Sequence, residues 1–337
     1  MNKIERIDIY NKIEPYLSKE LKRKVIEEIG INEYDIVERG SGKLKEIELE
    51  IIMLYSNKCK LIIPLEENIP NVMGGKIPDY LVVLESGEVI LIEVKSTKEH
   101  KKKFTSENYI NKQEEYASLL GGSLYYAINL NGFWMLFHSD YLKNKVGKIT
   151  IKDVKNSKLC KVFGIKGFLV EKGFCIEQIY DKRGISDLEA YHKDFGGLKS
   201  FRLIFNNNQI REREIINITT INEENKITIL ALNFLLHIMS SQNIKKEDLD
   251  NYQIRVMSCL EENVLIYPIM SLIYSKNILR EILNDLSLAN FKKDIIEKKS
   301  YNKNLLNKLN QVFEGLISDN LPVREYKESE LLIEVKE

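Results

Sequence analysis

The chain has no excess charge of either sign: 50 Lys and Arg stand against 50 Asp and Glu in 337 residues. That excludes a histone-like or uniformly basic nucleic-acid coat, but not an enzyme whose basic surface is local. Cysteine is sparse and unclustered. Cys59, Cys160, Cys175 and Cys259 form no CxxC pair, which excludes a zinc ribbon or a clustered iron–sulfur site by spacing. Scattered thiols of this kind fit a reducing, cytoplasmic setting. There is no apolar run of membrane-spanning length. The stretch 227–239 is interrupted by Asn233 and His237 and reads as a buried helix. Residues 1–16 are charged throughout and lack the apolar segment of a signal peptide. No P-loop and no GxSxG string occurs. His138, His192 and His237 stand alone, and Asp187, Glu189 and His192 have no buried apolar frame to hold them as a metal site.

What is present is an α/β pattern followed by a change of texture. Residues 3–30 alternate charged and apolar positions at helical spacing, interrupted by Pro15. Residues 43–55 carry Leu44, Ile47, Ile51 and Leu54 on one helical stripe. Residues 60–64 read as a short strand, and 71–76 as a glycine-bearing loop. Residues 80–84 and 89–94 are almost wholly apolar, as in strands covered on both faces. Residues 107–120 predict a helix stopped by Gly121-Gly122, and 124–129 and 133–137 predict two more strands. Helices and strands in this order predict an α/β sandwich. Past residue 145 come short strand-like runs, such as 167–170 and 200–205, and then a stretch from 223 to about 317 that reads as almost continuously helical. The expected division is therefore 1–148, with a helical extension over 1–38, and 149–337, a mixed and then mainly helical domain.

The chemistry concentrates between residues 75 and 95. Glu85-Ser86-Gly87 reads as a three-residue hairpin loop closed by glycine in the left-handed region. Pairing counted outward from Ser86 sets Asp79 opposite Glu93, and directly paired residues share a face. Lys95 lies two residues further along that face. Two carboxylates and an ammonium at the end of buried strands are costly without a cation. Mg²⁺ fits, because it takes a few carboxylate oxygens and keeps waters and substrate phosphate; Mn²⁺ is the expected substitute. Asp79 and Glu93 are the expected metal ligands, with the Val94 carbonyl beside them, and Lys95 the residue that orients water and steadies developing charge. The chain carries its own decoy: Ile333-Glu334-Val335-Lys336 repeats the string Ile92–Lys95 without a Pro-Asp or a buried hairpin before it.

With these residues in view, the sequence resembles the PD-(D/E)xK, restriction-endonuclease-like nucleases. That resemblance implies a three-layer α/β/α nuclease core. Residues from about 39 to 138 resemble the archaeal Holliday junction resolvases, whose opening helix carries Gly-x-x-x-Glu-x-Glu-Leu; here it is Gly42-Lys43-Leu44-Lys45-Glu46-Ile47-Glu48-Leu49. The resemblance makes Glu46 the additional acidic residue of the metal site, with Glu48 and Glu50 as competitors. A second likeness is to RecB-type nuclease domains, which carry Gln-x-x-x-Tyr on the helix after the lysine strand. This chain has Gln113-Glu114-Glu115-Tyr116, one residue shorter; the likeness implies a nucleic-acid-facing, site-supporting Gln113. Neither likeness reaches the first 35 or so residues or the C-terminal half.

A nucleic-acid partner is also indicated locally. From Glu93 to Gln113, Lys95, Lys98, Lys101, Lys102, Lys103 and Lys112 oppose Glu93, Glu99 and Glu107, a net +3. Lys98, Lys101, Lys102 and Lys103 are therefore expected on phosphates, with Ser96 and Thr97 as hydrogen-bond donors to them. Arg202, Arg211 and Arg213 form a further candidate surface. The expectation is a Mg²⁺-dependent DNA endonuclease of a restriction, defence or repair system, with RNA an open alternative, acting as a homodimer and without membrane attachment. The rivals are a RecB-like exonuclease and a non-catalytic nuclease-fold binding or assembly protein.

Overall fold

A computed structural model describes residues 6–7, 9–10, 13, 16–32, 45–56, 58–65, 76–99, 101–103, 106–145, 148–183, 191–192, 194–207, 209–217, 244–261, 264–270, 299–318 and 323–326. The chain divides into two compact units. The first contains residues 1–165, with 282–292 and 328–337, and the second contains 166–281 and 293–327.

The first unit is built on a five-stranded sheet. Its strands are β1 (Cys59–Pro64), β2 (Tyr80–Leu84), β3 (Val89–Thr97), β5 (Ser123–Leu130) and β6 (Phe133–His138), side by side in that order. β4 (Lys101–Lys103) lies outside this sheet and pairs with β7 (Lys148–Thr150). Every pairing in the five-stranded sheet is antiparallel except β3 with β5. A parallel pair needs a crossover, and helix α3 (Glu107–Leu119) supplies it. Helix α1 spans Lys19–Glu28, and residues 45–55 form helix α2.

The hairpin from β2 to β3 follows the expected register. Tyr80 pairs with Ile92 and Val82 with Ile90, while Leu84 N–H donates to the Glu88 carbonyl across the turn. Gly87 takes φ +87° there, a region closed to most side chains. A different constraint acts at Gly122, where α3 hands over to β5. A Cβ there would stand 2.7 Å from Leu91 Cδ1 and 3.0 Å from the Val89 carbonyl oxygen, so only glycine lets the chain approach β3 this closely. β3 is buried on both faces through Ile90, Leu91 and Ile92, as its apolar run requires.

The boundary expected after residue 148 falls inside β7, which pairs with β4: Lys101 opposes Thr150, Lys102 opposes Ile149 and Lys103 opposes Lys148. A 3-10 turn (Ile151–Asn156) and helices α4 (Ser139–Asn144) and α5 (Leu159–Phe163) complete the unit. Asp153, 4% exposed, organises this end. Its carboxylate accepts from Tyr141 Oη and Lys145 Nζ, both at 2.6 Å, and from the Thr150 N–H at 2.8 Å.

In the second unit, residues 244–248, 253–259 and 264–266, expected within a helical stretch, form strands instead. Its described residues are dominated by antiparallel sheet. β9 (Phe174–Asp181), β10 (Tyr191–His192), β11 (Gly196–Asn207), β13 (Ile244–Asp248) and β14 (Gln253–Cys259) lie in the order β10-β11-β9-β14-β13, and β12 (Gln209–Asn217) pairs with β11. β8 (Phe168–Val170) is flanked by β15 (Val264–Ile266) and β16 (Val323–Glu325). Helix α6 (Lys299–Ser318) is as expected, and its Phe313 ring stacks on Phe168. Gln253–Cys259 explains the correction: burial alternates residue by residue along it, a period of two that a helical reading overlooks. Residues 218–243 and 271–298, and the decoy at 333–336, lie outside the described residues.

One face of the six-stranded sheet is apolar and the other is charged. Ile176, Phe201 and Val256 are buried on the first. On the second, buried Glu177 meets Arg255 Nε at 2.9 Å and Arg202 Nη1 at 3.5 Å. Cys175 and Cys259 stand directly opposite one another, with Cα atoms 4.1 Å apart, and form a disulfide. The expectation of four separate thiols is thereby corrected, and Cys59 and Cys160 remain outside the bridge. The three arginines also separate: Arg202 pairs with Glu214, whereas Arg211 and Arg213 pair with Phe205 and Leu203, positions of opposite parity.

Candidate active site

The register that pairs Tyr80 with Ile92 brings Asp79 to the edge of β3 beside Glu93 and Val94. Asp79 Oδ2 accepts from the Val94 N–H at 2.6 Å. In a strand the N–H and C=O of one residue point to the same edge, so the Val94 carbonyl lies on the Asp79 side of β3. Glu93 is 1% exposed and carries three donors. Lys95 Nζ and Tyr109 Oη (3.0 Å) both donate to Oε1, and Gln113 Nε2 donates to Oε2 at 2.7 Å. Lys95 Nζ also stands 5.6 Å from the centre of the Tyr109 ring. The three residues singled out by the motif therefore meet at one end of the sheet.

Gln113 was expected to face nucleic acid. It is fully buried instead, and so cannot touch a substrate backbone from this position. Its place follows from helix spacing: Ile110, Gln113 and Ala117 are the buried residues of α3, three and four positions apart on one stripe. The amide oxygen of Gln113 accepts from Tyr126 Oη at 2.5 Å. Tyr126 lies opposite Glu93 in the β3–β5 pairing, so a chain Tyr126–Gln113–Glu93 fixes the carboxylate. Tyr109 and Tyr126 escaped the sequence reading. Tyr109 lies four residues before Gln113, one helical turn away, and that spacing is the signal that could have found it.

Electrostatics separate the two carboxylates. Burial and the neighbouring Glu93 carboxylate push the Asp79 carboxyl up to about 8 from 3.8; Glu46 adds to the rise, and the Val94 N–H and Lys95 oppose it. A site that holds a carboxyl protonated at neutral pH is short of positive charge. Tyr80 is likewise raised, first by burial and then by Glu50 and Glu46. Glu46 thus lies within electrostatic reach of Asp79. Its competitor Glu48 is committed elsewhere: buried, it accepts from Lys45 Nζ at 2.6 Å and Trp134 Nε1 at 3.2 Å.

The remaining expected residues distribute as follows. Ser96 pairs with Asn129 in the unbroken register of β3, and alternation puts it on the face opposite Glu93 and Lys95, so it is not beside them. Thr97 Oγ1 accepts from the Glu99 N–H at 3.2 Å. Lys98 and Lys101 are exposed, and Lys101, Lys102 and Lys103 form β4.

Among the described residues no three His, Cys, Asp or Glu side chains gather in ligating geometry. The donor set is two carboxylates, a backbone carbonyl on the same edge and Glu46 nearby. That set is thin for a fully protein-caged ion, but it suits a small hard cation that keeps several waters, and the raised Asp79 marks the missing charge. The residues present therefore fit Mg²⁺.

No curated protein matches this chain. A solved Holliday junction resolvase from the archaeal hyperthermophile Archaeoglobus fulgidus is 22% identical over 33% of this chain and 89% of its own, with a TM-score of 0.28. Among the described residues no helix is long and apolar enough to cross a membrane. The family model described as archaeal Holliday junction resolvase matches residues 70–166, which span β2, β3, α3 and all the site residues except Glu46. The segment 70–166 thus carries the pattern of the archaeal Holliday junction resolvases, a family of the PD-(D/E)xK, restriction-endonuclease-like type.

Proposed function

We propose that this protein is a divalent-metal-dependent DNA endonuclease acting on phosphodiester bonds in a recombination, repair, restriction or defence setting. The observation that carries the reading is the meeting of Asp79, Glu93 and Lys95 at one end of a buried sheet, with Glu93 held by Tyr109 and Gln113.

Asp79, Glu93 and the Val94 carbonyl would hold Mg²⁺, or Mn²⁺ in its place, with Glu46 as the additional acid. Bound there, the metal would supply Lewis acidity toward the scissile phosphate and lower the pKa of a coordinated water. The protein's own groups do the rest. Gln113 and Tyr109 hold the Glu93 carboxylate in one orientation, and Tyr126 holds Gln113. The sheet floor of Ile90, Leu91 and Ile92 excludes water from beneath the site. Lys95 brings a donor and a positive charge to the pair, suited to orienting a water and to steadying charge that develops on phosphate oxygens. Lys98 follows the end of β3 and Lys101, Lys102 and Lys103 form β4, where substrate backbone would run. A homodimer is part of this reading, since a junction or duplex presents two strands.

The test is a panel of single-stranded, duplex, branched and RNA substrates with Mg²⁺, Mn²⁺ or EDTA. Metal-dependent internal cleavage of DNA is expected, abolished in Asp79→Ala and Glu93→Ala. Metal-independent cleavage, or full activity in either variant, refutes the assignment. Products released only from ends would replace the endonuclease with the RecB-like exonuclease reading. Tight binding with no cleavage under any metal would leave the binding-protein reading.

A further inference from the structure

The charge balance of the whole chain conceals a strong local imbalance. Residues 143–161 hold seven lysines, Lys143, Lys145, Lys148, Lys152, Lys155, Lys158 and Lys161, and a single acid, Asp153. That acid is buried and already engaged by Lys145, Tyr141 and Thr150. Lys143 is paired with Glu114. The other five lysines are all exposed.

These five stand on consecutive elements: Lys148 on β7, Lys152 and Lys155 in the 3-10 turn, Lys158 just before α5 and Lys161 within it. Ile149 is fully buried while its neighbour Lys148 is exposed, which fixes the outward face of β7. Lys152 and Lys155 lie in the 3-10 turn, where residues three apart eclipse. At about 2.0 Å of rise per residue they stand roughly 6 Å apart along its axis. One strand of a duplex presents a phosphate about every 3.4 Å of axis, so every second phosphate is within reach of a flexible lysine. Lys158 follows the turn after the extended Ser157. The segment is tied to the candidate site by pairing: β7 binds β4, and β4 begins four residues after the end of β3, the strand of Glu93 and Lys95.

We propose that Lys148, Lys152, Lys155 and Lys158 form a track for the phosphodiester backbone of a nucleic acid whose other part lies at Asp79, Glu93 and Lys95. The inference rests on the nuclease reading and adds to it a second stretch of substrate contact, on the far side of β4. A run of surface lysines can also serve solubility alone. Here the segment itself supplies no exposed acid, its one acid being the buried Asp153, and it is joined through β4 to the strand that carries Glu93 and Lys95.

The test uses the full chain in EDTA, so that binding is read without cleavage. Affinity for a labelled DNA duplex is measured by fluorescence anisotropy across a salt series for the wild type and for the triple variant K148Q/K155Q/K158Q. Exposed substitutions of this kind leave folding nearly unchanged, which the Trp134 fluorescence melt checks. The expected result is a tenfold or greater loss of affinity and a salt slope smaller by about two to three, at roughly 0.9 per phosphate contact. The control R23Q/K24Q, on α1, should match the wild type. An unchanged slope in the triple variant, or an equal loss in the control, overturns the track. So does a variant that loses binding to phosphatidylserine vesicles while binding DNA as well as the wild type. A wild type that cleaves DNA while the triple variant binds it equally well overturns the track alone. A wild type that neither binds nor cleaves any nucleic acid overturns the nuclease reading beneath it.

Discussion

Asp79 offers a prediction that needs no substrate. Burial and the neighbouring Glu93 carboxylate push its carboxyl up to about 8 in the folded protein, from near 4 in an unfolded chain. Between those values the folded state keeps a proton that the unfolded state has lost. Stability must therefore fall as pH rises from about 4, and the loss is complete only above about 8. The full difference corresponds to a ceiling on the order of 5 kcal/mol, reduced in practice by coupling to Glu93 and by partial relaxation around the pair. Asp79→Asn mimics the protonated carboxyl at every pH and keeps an oxygen for the Val94 N–H. The variant should be modestly more stable than the wild type near pH 5 and more clearly so near pH 9. At about 2–4 °C per kcal/mol, a gap of at least roughly 5 °C in Tm is expected at pH 9. Trp134 is the only tryptophan and is buried in β6, so its fluorescence follows the first unit alone. Millimolar Mg²⁺ should raise the wild-type Tm at pH 9 and leave that of the variant nearly unmoved. Parallel Tm curves for the two proteins from pH 5 to pH 9 would refute the reasoning, as would a variant less stable at pH 9.

Other perturbations separate positioning from binding. Gln113→Ala should lower turnover or metal affinity by about 10- to 100-fold, as loss of a group that orients a ligand does, with duplex affinity in EDTA unchanged within about twofold. Tyr126→Phe should leave the buried Gln113 oxygen without its hydroxyl donor and cost about 1–3 kcal/mol, read in the Trp134 melt, with a smaller effect on turnover than Gln113→Ala. Gly122→Ala would drive a methyl group against Leu91 and the Val89 carbonyl; a cost of about 1–3 kcal/mol and a weakened β3–β5 pairing should appear as a lower Tm at every pH.

The motif was legible because its determinants are local. A tight turn at Glu85–Gly87 and period-two alternation along β2 and β3 suffice to pair Asp79 with Glu93 and to bring Lys95 onto the same face. Gln113 shows where local reading stops. Its sequence neighbourhood is that of an amphipathic helix, and only the packing of α3 on β5 decides that it turns inward to Glu93. Tyr126 contributes through a non-local pairing, Glu93 with Tyr126 across a parallel crossover, which no sequence window contains. Ser96 differs for a simpler reason: being next to Lys95 in a strand puts it on the other face. In the C-terminal half, Gln253–Cys259 alternates with period two but carries Arg255, Ser258 and Gln253, and that polar content hid the strand. The pairing of Cys175 with Cys259 depends on the register of β9 and β14, 84 residues apart in sequence.

The central claim is that Lys95 works on the reacting phosphate rather than on binding. The direct measurement is single-turnover cleavage by Lys95→Ala at saturating DNA and millimolar Mg²⁺, beside its DNA affinity in EDTA. The account predicts turnover reduced by at least about 100-fold with affinity within about twofold of the wild type. Cleavage of saturated substrate at the wild-type rate would contradict it.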